Sequence, residues 1–264
     1  MIDAIITTAA RQQHILESEA IQLAREWDIP YVKRNNRSVD SLFPEYQVTN
    51  VAVLDYQANI TLHKQDQEPI KYHPGMSTIR IKRLQDGNND PMVDLLNLLP
   101  DDTLLDCTLG LASDAIVAQY VASEGQVIGL EADPLVAMFT KKGLQTYQAE
   151  QEVMQNAMRK IEVIHADYNQ FLADAPDRSY DFVYFDPMFR KTVDESRSMQ
   201  FLKVHCCNEP VTEQAVRDAM RVARKMVVLK ERTYSREFKR LGFTPTIRPN
   251  SSFSYGIIRL EGLQ

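Results

Sequence analysis

Three short apolar runs, each closed by a carboxylate, constrain this chain more than any other feature: Leu104-Leu105-Asp106, Gly129-Leu130-Glu131 and Phe182-Val183-Tyr184-Phe185-Asp186. A continuous apolar run without alternation suits a strand buried on both faces, as in a parallel sheet covered by helices. Helical segments are expected between the runs, over 114–122 after the first and 134 to about 147 after the second. Strands alternating with helices predict a doubly wound α/β fold. In such a fold ligands bind outside the carboxyl ends of the strands, so Asp106, Glu131 and Asp186 are expected along one edge.

The rest of the chain fits around this unit. Residues 8–27 have helical periodicity, with Ile15, Leu16, Ala20, Leu23 and Ala24 on one side, and Asp28-Ile29-Pro30 ends it. Residues 51–56 and 59–63 are rich in β-formers and read as paired strands. We therefore expect a small N-terminal α+β subdomain over 1–70 and a larger domain over 71–264. Asn89-Asp90-Pro91 caps a helix to Leu99, 211–224 reads as a helix, 226–230 as a buried strand, and 243–247 with 253–260 as an antiparallel closing pair.

Charge selects among the ligands of such an edge. A dinucleotide site wants a glycine-rich turn and a helix N-terminus facing a pyrophosphate. Here the first strand itself ends in Asp106, and Gly110 is the one glycine of the turn. A carboxylate there repels a pyrophosphate, which disfavours NAD. S-adenosylmethionine (SAM) carries no phosphate and presents an α-ammonium and a sulfonium. Glu131, 25 residues after Asp106, can accept from both ribose hydroxyls. Asp167, in Val163-Ile164-His165-Ala166-Asp167-Tyr168, can receive the adenine amino group while Tyr168 edges the ring. Any one of these acids reads equally well as a helix N-cap or a solvated carboxylate, as Asp133 before Pro134 does; their order and spacing together favour the ligand reading.

Asp186-Pro187-Met188-Phe189 follows the last apolar run, where the SAM methyl should point. An exocyclic amine attacks best when its N–H groups are held by acceptors, and the Asp186 carboxylate and Pro187 carbonyl can supply them. Phe189 can stack on a planar base. The plainer reading of the segment is a proline turn with an apolar plug. His73 and Met76, in His73-Pro74-Gly75-Met76, are read evenly as substrate contacts at the cofactor mouth or as turn and core residues. Arg80, Lys82 and Arg83 interleave with Ile79, Ile81 and Leu84 and suggest a basic strand face that could meet phosphate. His165 reads as a packed strand-end histidine.

The formal net charge of −6 conceals an asymmetry. Residues 91–189 hold 5 Lys/Arg against 16 Asp/Glu, a balance of −11, and residues 190–248 hold 14 against 7, a balance of +7. The basic segment permits a polyanionic partner, although Arg217, Arg221, Arg224 and Lys225 read equally as a solvated helix face. Cys206 and Cys207 are adjacent and Cys107 lies inside the turn motif, which gives neither a disulfide framework nor metal-ligand spacing. Cys107 is expected to be a small buried side chain. No run approaches the ~20 apolar residues of a membrane span. The start lacks a basic segment before an apolar one, so a secretion signal is not expected and the cytoplasm is the expected compartment.

Asp106-x-Thr-x-Gly-Leu-x-x-Asp114, the Glu131 strand and Asp186-Pro-Met-Phe resemble class I SAM-dependent methyltransferases of the RsmJ type, whose characterised members methylate a guanine N2 amine in bacterial 16S ribosomal RNA. The resemblance is strongest over 71–232, including His73-Pro74-Gly75-Met76 and Val227-Val228-Leu229-Lys230-Glu231-Arg232. It implies a Rossmann-like seven-stranded sheet. It also implies cofactor contacts from Ser113 and Asp114, Glu131 and Ala132, Asp167 and Tyr168, and Asp186, with Phe189 and Arg190 on the substrate side and S-adenosylhomocysteine as product. Ala112 stands where the family has a second glycine, Ser113 where it has arginine, and Arg190 where a second proline is usual. The leading expectation is methylation of a guanine amine in ribosomal RNA, free or in the small subunit. The alternatives are a small-molecule or protein amine as acceptor, and a SAM-binding interaction protein without turnover.

Overall fold

The computed structural model describes residues 3–11, 13–187, 210–248 and 250–260. Met188, Phe189, Arg190, Cys206 and Cys207 lie outside the described residues. Two sheets organise the chain. The first has the order β1-β2-β3-β4, from Ala4–Thr8, Asn50–Leu54, Ile60–Lys64 and Ile70–Lys71. The expected hairpin is β2 with β3, paired antiparallel with Val53 opposite Thr61. Helix α1, Gln13–Glu26, packs on β1 through Leu16, Ala20, Leu23 and Ala24 but leaves Ile15 exposed, against expectation, and α2, Val39–Tyr46, packs on β2.

The expected helix over 8–27 begins later than anticipated, because Ala4–Thr8 is a strand paired parallel to β2. Every residue of β1 is buried, so it shows no alternation by which a strand beside a helical pattern could be recognised.

The second sheet follows α3 (Ser77–Gln85) and α4 (Pro91–Leu96). Its strands are β5 (Thr103–Asp106), β6 (Gln126–Glu131), β7 (Glu162–His165), β8 (Tyr180–Phe185), β9 (Ala223–Arg232), β10 (Thr244–Thr246) and β11 (Phe253–Arg259). Their order is β10-β11-β9-β8-β5-β6-β7, parallel except for β11, which runs antiparallel to both neighbours. Helices α5 (Ser113–Val121), α6 (Pro134–Thr146), α7 (Glu152–Lys160), α8 (Tyr168–Asp174), α9 (Glu213–Val222) and α10 (Glu237–Arg240) connect them. This is the doubly wound, seven-stranded sheet the sequence predicts.

Alternate residues of the central strands feed two cores. Leu104, Phe182, Tyr184, Met226 and Val228 join one, and Leu105, Val183, Phe185, Val227 and Leu229 join the other. The first core also takes Ile6, Leu54 and Ile60 from the N-terminal sheet, so apolar packing is continuous between the sheets. Cys107 is buried as expected.

Three further local expectations are corrected. Residues 79–84 lie in helix α3, where Ser77 and Ile81 are one helical turn apart and both buried. The helix after 211 ends at Val222, and Ala223 already belongs to β9. The capping signals hold: Asp90 accepts from the Met92 and Val93 amides, and Asp133 from those of Leu135 and Val136. Helix α4 ends at Leu96, short of Leu99, with Asn97 in the left-handed region at φ 48°. Among the described residues no helix is long and apolar enough to cross a membrane.

Candidate active site at the strand tips

The chain leaves β5 for β6 and β7 on one side and returns to β8 on the other, which makes the gap between β5 and β8 the topological switch point. Asp106 and Glu131 are the last residues of β5 and β6, and Asp186 follows β8. The structure therefore brings the three expected acids to one edge.

The turn after β5 is held from several directions. Leu109 donates its amide to Leu130 O at 2.9 Å, and Gly110 donates its amide to Glu131 Oε2 at 3.0 Å. Thr140 Oγ1 donates to Gly110 O at 2.7 Å, and the Tyr72 hydroxyl donates to Leu111 O at 3.1 Å. Gly110 sits at φ 52° and Ala112 at φ 65°, both left-handed. A left-handed alanine carries a steric cost of about 1 kcal/mol, which is the physical reason a glycine suits that position. The other Glu131 oxygen accepts from the Asp133 amide at 2.9 Å, so both ends of this buried carboxylate are fixed.

Across the switch point, the Asp186 amide donates to Thr108 Oγ1 at 2.6 Å, which ties the tip of β8 to the same turn. Lys230 on β9 donates from Nζ to Asp186 Oδ2 at 2.7 Å and to Asp114 Oδ2 at 2.8 Å. Asp114 also accepts from the Tyr184 hydroxyl at 2.7 Å and from Arg80. Arg80 grips Asp90 through Nε at 2.7 Å and Nη2 at 2.9 Å. Arg80 is thus an internal ion-pair partner, and the expected basic strand face does not form there.

These contacts set the electrostatics. Burial, reinforced by Asp114 and Asp186, pushes the Asp106 carboxyl up to about 8 despite its bond from the Thr108 amide. Burial and Asp114 push Asp186 up to about 6 against the pull of Lys230. Burial likewise raises Glu131. Asp114 is buried too, but Lys230 and Arg80 hold it below the usual carboxylate range. Negative charge at the strand tips is therefore only partly balanced. The set suits a cation and repels an anion, which fits the ammonium and sulfonium of SAM and opposes a pyrophosphate.

The remaining expected residues spread outward. Ser113 opens α5, and a side chain at Gly75 would meet Ser113 Oγ at 3.3 Å, so the 73–76 turn lies against the start of that helix. His73 and Met76 are exposed; His73 Nδ1 accepts from the Gly75 amide at 3.0 Å and its ring meets Tyr147 edge-on. Ala132 is exposed beyond Glu131. Asp167 caps α8 by accepting the Asn169 amide at 2.7 Å, and the Tyr168 ring packs edge-on against Phe185. His165 is exposed, not packed, and donates from Nε2 to Ala132 O at 3.2 Å. Pro187 is half-buried beside Asp186.

Arg80 and Lys230 are the site residues that sequence reasoning missed as such. Their partners are distant in sequence, and no local spacing reports them. The basic residues at 221–225 are also taken internally: Arg221 pairs with Asp177, Arg224 with Asp181, and Lys225 with Asp102. The latter two pairs gather at the first residues of β5, β8 and β9, the edge opposite the site. A cavity of about 520 Å³ lies apart from the strand tips, between the β3–β4 hairpin and the second half of α6, with Lys71, Tyr72 and Tyr147 in its wall.

Comparison with known proteins agrees with this geometry. The family described as "Putative SAM-dependent methyltransferase" matches residues 41–247. The uncharacterized protein YpiP of Bacillus subtilis (strain 168) is 35% identical over 256 residues, 97% of this chain and 99% of its own. The ribosomal RNA small subunit methyltransferase J of Buchnera aphidicola subsp. Schizaphis graminum (strain Sg) is 24% identical over 136 residues, so the chain spans about half of that relative, 53% of its length. A SAM-dependent methyltransferase from Neisseria gonorrhoeae superposes with a TM-score of 0.64 at 14% identity, covering 99% of this chain and 97% of the other, which shows the shared fold. With the sheet, the charged strand tips and the family match in agreement, the chain belongs to the SAM-dependent methyltransferases.

Proposed function

We propose that this methyltransferase modifies an exocyclic amine of guanine in ribosomal RNA. The observation that carries the reading is the bond from the Asp186 amide to Thr108 Oγ1 at 2.6 Å, which fixes an Asp-Pro turn beside the cofactor turn at the switch point. The similarity to a methyltransferase named for small-subunit ribosomal RNA supports the choice of acceptor. In this reading residues 1–70 form a subdomain attached to the methyltransferase domain of 71–264.

SAM supplies an electrophilic methyl on a sulfonium, so the protein needs chiefly to position the acceptor. Glu131 receives the ribose hydroxyls, Asp167 and Tyr168 receive the adenine, and Asp106, Gly110, Ser113, Asp114 and Ala132 line the amino-acid and ribose portions. The Asp186 carboxylate and Pro187 carbonyl accept the two N–H groups of the amine and aim its lone pair at the methyl. After transfer the nitrogen sheds one proton, which the Asp186 carboxylate takes in this reading. His73 and Met76 are the candidate base contacts in this reading, and the expected roles of Phe189 and Arg190 on the substrate side fall outside the described residues.

A second reading, a small-molecule or protein amine as acceptor, is favoured by one observation. Arg221, Arg224 and Lys225 are paired with Asp177, Asp181 and Asp102, which offsets the positive charge of this cluster. The test is transfer of tritiated methyl from SAM to small ribosomal subunits, to naked 16S RNA and to protein and metabolite fractions, all from a strain lacking the protein. Label in N2-methylguanosine that disappears with Asp186→Ala is the expected outcome. Label confined to protein or small molecules establishes the second reading instead.

A further inference from the structure

The ammonium of Lys230 bridges two carboxylates that belong to different halves of the site. Asp114 lies in the first turn of α5, the helix launched by the cofactor turn, and Asp186 follows β8. Lys230 itself comes from β9, 44 residues beyond Asp186 and 116 beyond Asp114. The stack is closed from behind by Arg80 and the Tyr184 hydroxyl on Asp114 and by the Phe253 ring, whose centroid is 4.9 Å from Nζ. It is open at one end: the Asp186 side chain keeps 27% of its surface, against 15% for Lys230 and 9% for Asp114. A ligand entering the stack reaches Asp186 first. Of the Asp186 oxygens, Oδ2 is the one held by Lys230, and the Asp114 side chain lies within hydrogen-bond reach of the same carboxyl.

We propose that Lys230 is the positioning residue for methyl transfer: it fixes the Asp186 carboxylate with one oxygen turned toward the acceptor amine, and it couples that orientation to Asp114 on the cofactor side. The inference rests on the reading of Asp186 as the amine acceptor and adds the group that holds it ready. An ionised Asp186 offers only acceptors to the amine N–H groups, whereas a protonated one adds an O–H donor and leaves weaker acceptors. The titratable groups facing Asp186 are Lys230 from β9, the Asp114 carboxylate from α5 and the Tyr184 hydroxyl from β8, with Asp106 at the tip of β5 nearby and itself raised by Asp186. Lys230 is the cation in contact with it among the described residues. Without that charge, burial and the Asp114 carboxylate both favour the protonated form. The same ammonium keeps α5 and the tip of β8 at a fixed separation, so a disturbance at one carboxylate is felt at the other.

The experiment uses the ligand-free full chain with carboxyl-13C aspartate and 15Nζ lysine. In the wild type the Asp186 carboxyl resonance titrates near 6, and the Lys230 15Nζ resonance follows the same curve because the two groups are bonded. In Lys230→Gln, which retains a donor but removes the charge, the Asp186 midpoint rises by more than about one pH unit. The acidic limb of kcat moves with it, and kcat at neutral pH falls about 100-fold. SAM binding, measured separately by calorimetry, persists in the variant while kcat collapses, a split that loss of the fold would not produce. Lys230→Arg restores the Asp186 midpoint and part of kcat. The proposal is overturned if Lys230→Gln leaves the Asp186 titration and the acidic limb where they were. It is equally overturned, whether or not any variant folds, if the wild-type Lys230 resonance ignores the Asp186 titration. Failure of the amine-acceptor reading looks different, since Asp186→Ala would then retain transfer while the wild-type titration stays coupled.

Discussion

The Gly110 amide donates to the Glu131 carboxylate at 3.0 Å, so the backbone of the turn after β5 and the tip of the next strand form one unit. The other Glu131 oxygen takes the Asp133 amide, which launches α6. A single carboxylate thereby orients two loops while offering its remaining lone pairs to a ligand.

Replacing Glu131 tests that double duty. Glu131→Gln removes the charge and converts one oxygen into a donor facing a backbone N–H. Hydrogen bonds to charged groups are worth about 1.5–3 kcal/mol. SAM binding by calorimetry should weaken about 10- to 100-fold. Thermal stability should change little, because the variant also removes a buried charge. Unchanged affinity would remove Glu131 from the cofactor site.

Binding should depend on pH through Asp106, whose carboxyl burial pushes up to about 8. A folded-state value above the unfolded one means that its contribution to stability is full below the ordinary carboxylate range and is lost as pH rises through about 8. A cationic ligand favours the ionised form, so SAM affinity should rise between about pH 6 and pH 8 with release of protons. Calorimetry in buffers of different ionisation enthalpy reads that release directly. Asp106→Asn should abolish it. A pH-independent affinity in the wild type contradicts the assignment.

The pair Arg80 and Asp114 carries stability. Arg80 is also bonded to Asp90, the N-cap of α4, so Arg80→Met leaves two buried carboxylates short of a partner. Breaking such a pair costs about 3–5 kcal/mol. At this chain length the melting temperature should fall by roughly 10 °C. In the wild type these pairs hold Asp90 and Asp114 below the usual carboxylate range against burial. Their contribution is therefore present above the ordinary pKa and lost as pH falls through the lowered values. The deficit of the variant should be largest near neutral pH and shrink in acid. A deficit that grows in acid would mean that other groups dominate.

Gly143 reports on the joint between the two sheets. A Cβ there would lie 2.0 Å from the Tyr72 ring, whose hydroxyl braces the cofactor turn at Leu111. Gly143→Ala should destabilise the protein by about 1–3 kcal/mol through overpacking. It should also weaken SAM binding, because Tyr72 cannot shift without moving the turn. Stability loss with unaltered binding would show that Tyr72 is only a packing residue.

Much of this architecture is legible in the sequence for physical reasons. A strand buried on both faces needs a continuous apolar run, so β5, β6 and β8 announce themselves, and the residue ending each run falls at the ligand edge. Asp90-Pro91 and Asp133-Pro134 mark helix starts because a cap acceptor and a fixed φ are local requirements. Interactions between distant segments are not legible. Residues 79–84 alternate like a strand, yet α3 is a helix, and Arg80 on it reaches both Asp90 and Asp114. Lys230 sits in an apolar strand with no neighbour to explain it, and its partners are set by the sheet order alone. The basic residues at 221–225 suggest a surface for a polyanion until the fold supplies Asp102, Asp177 and Asp181.

The most direct measurement is a crystal structure of the complex with S-adenosylhomocysteine. The account predicts its ribose on Glu131, its adenine beside Asp167 and Tyr168, and its sulfur directed toward Asp186-Pro187, with the Gly110 turn beneath it. A nucleoside seated elsewhere, such as the cavity walled by Tyr72 and Tyr147, with the strand-tip carboxylates untouched, would contradict it.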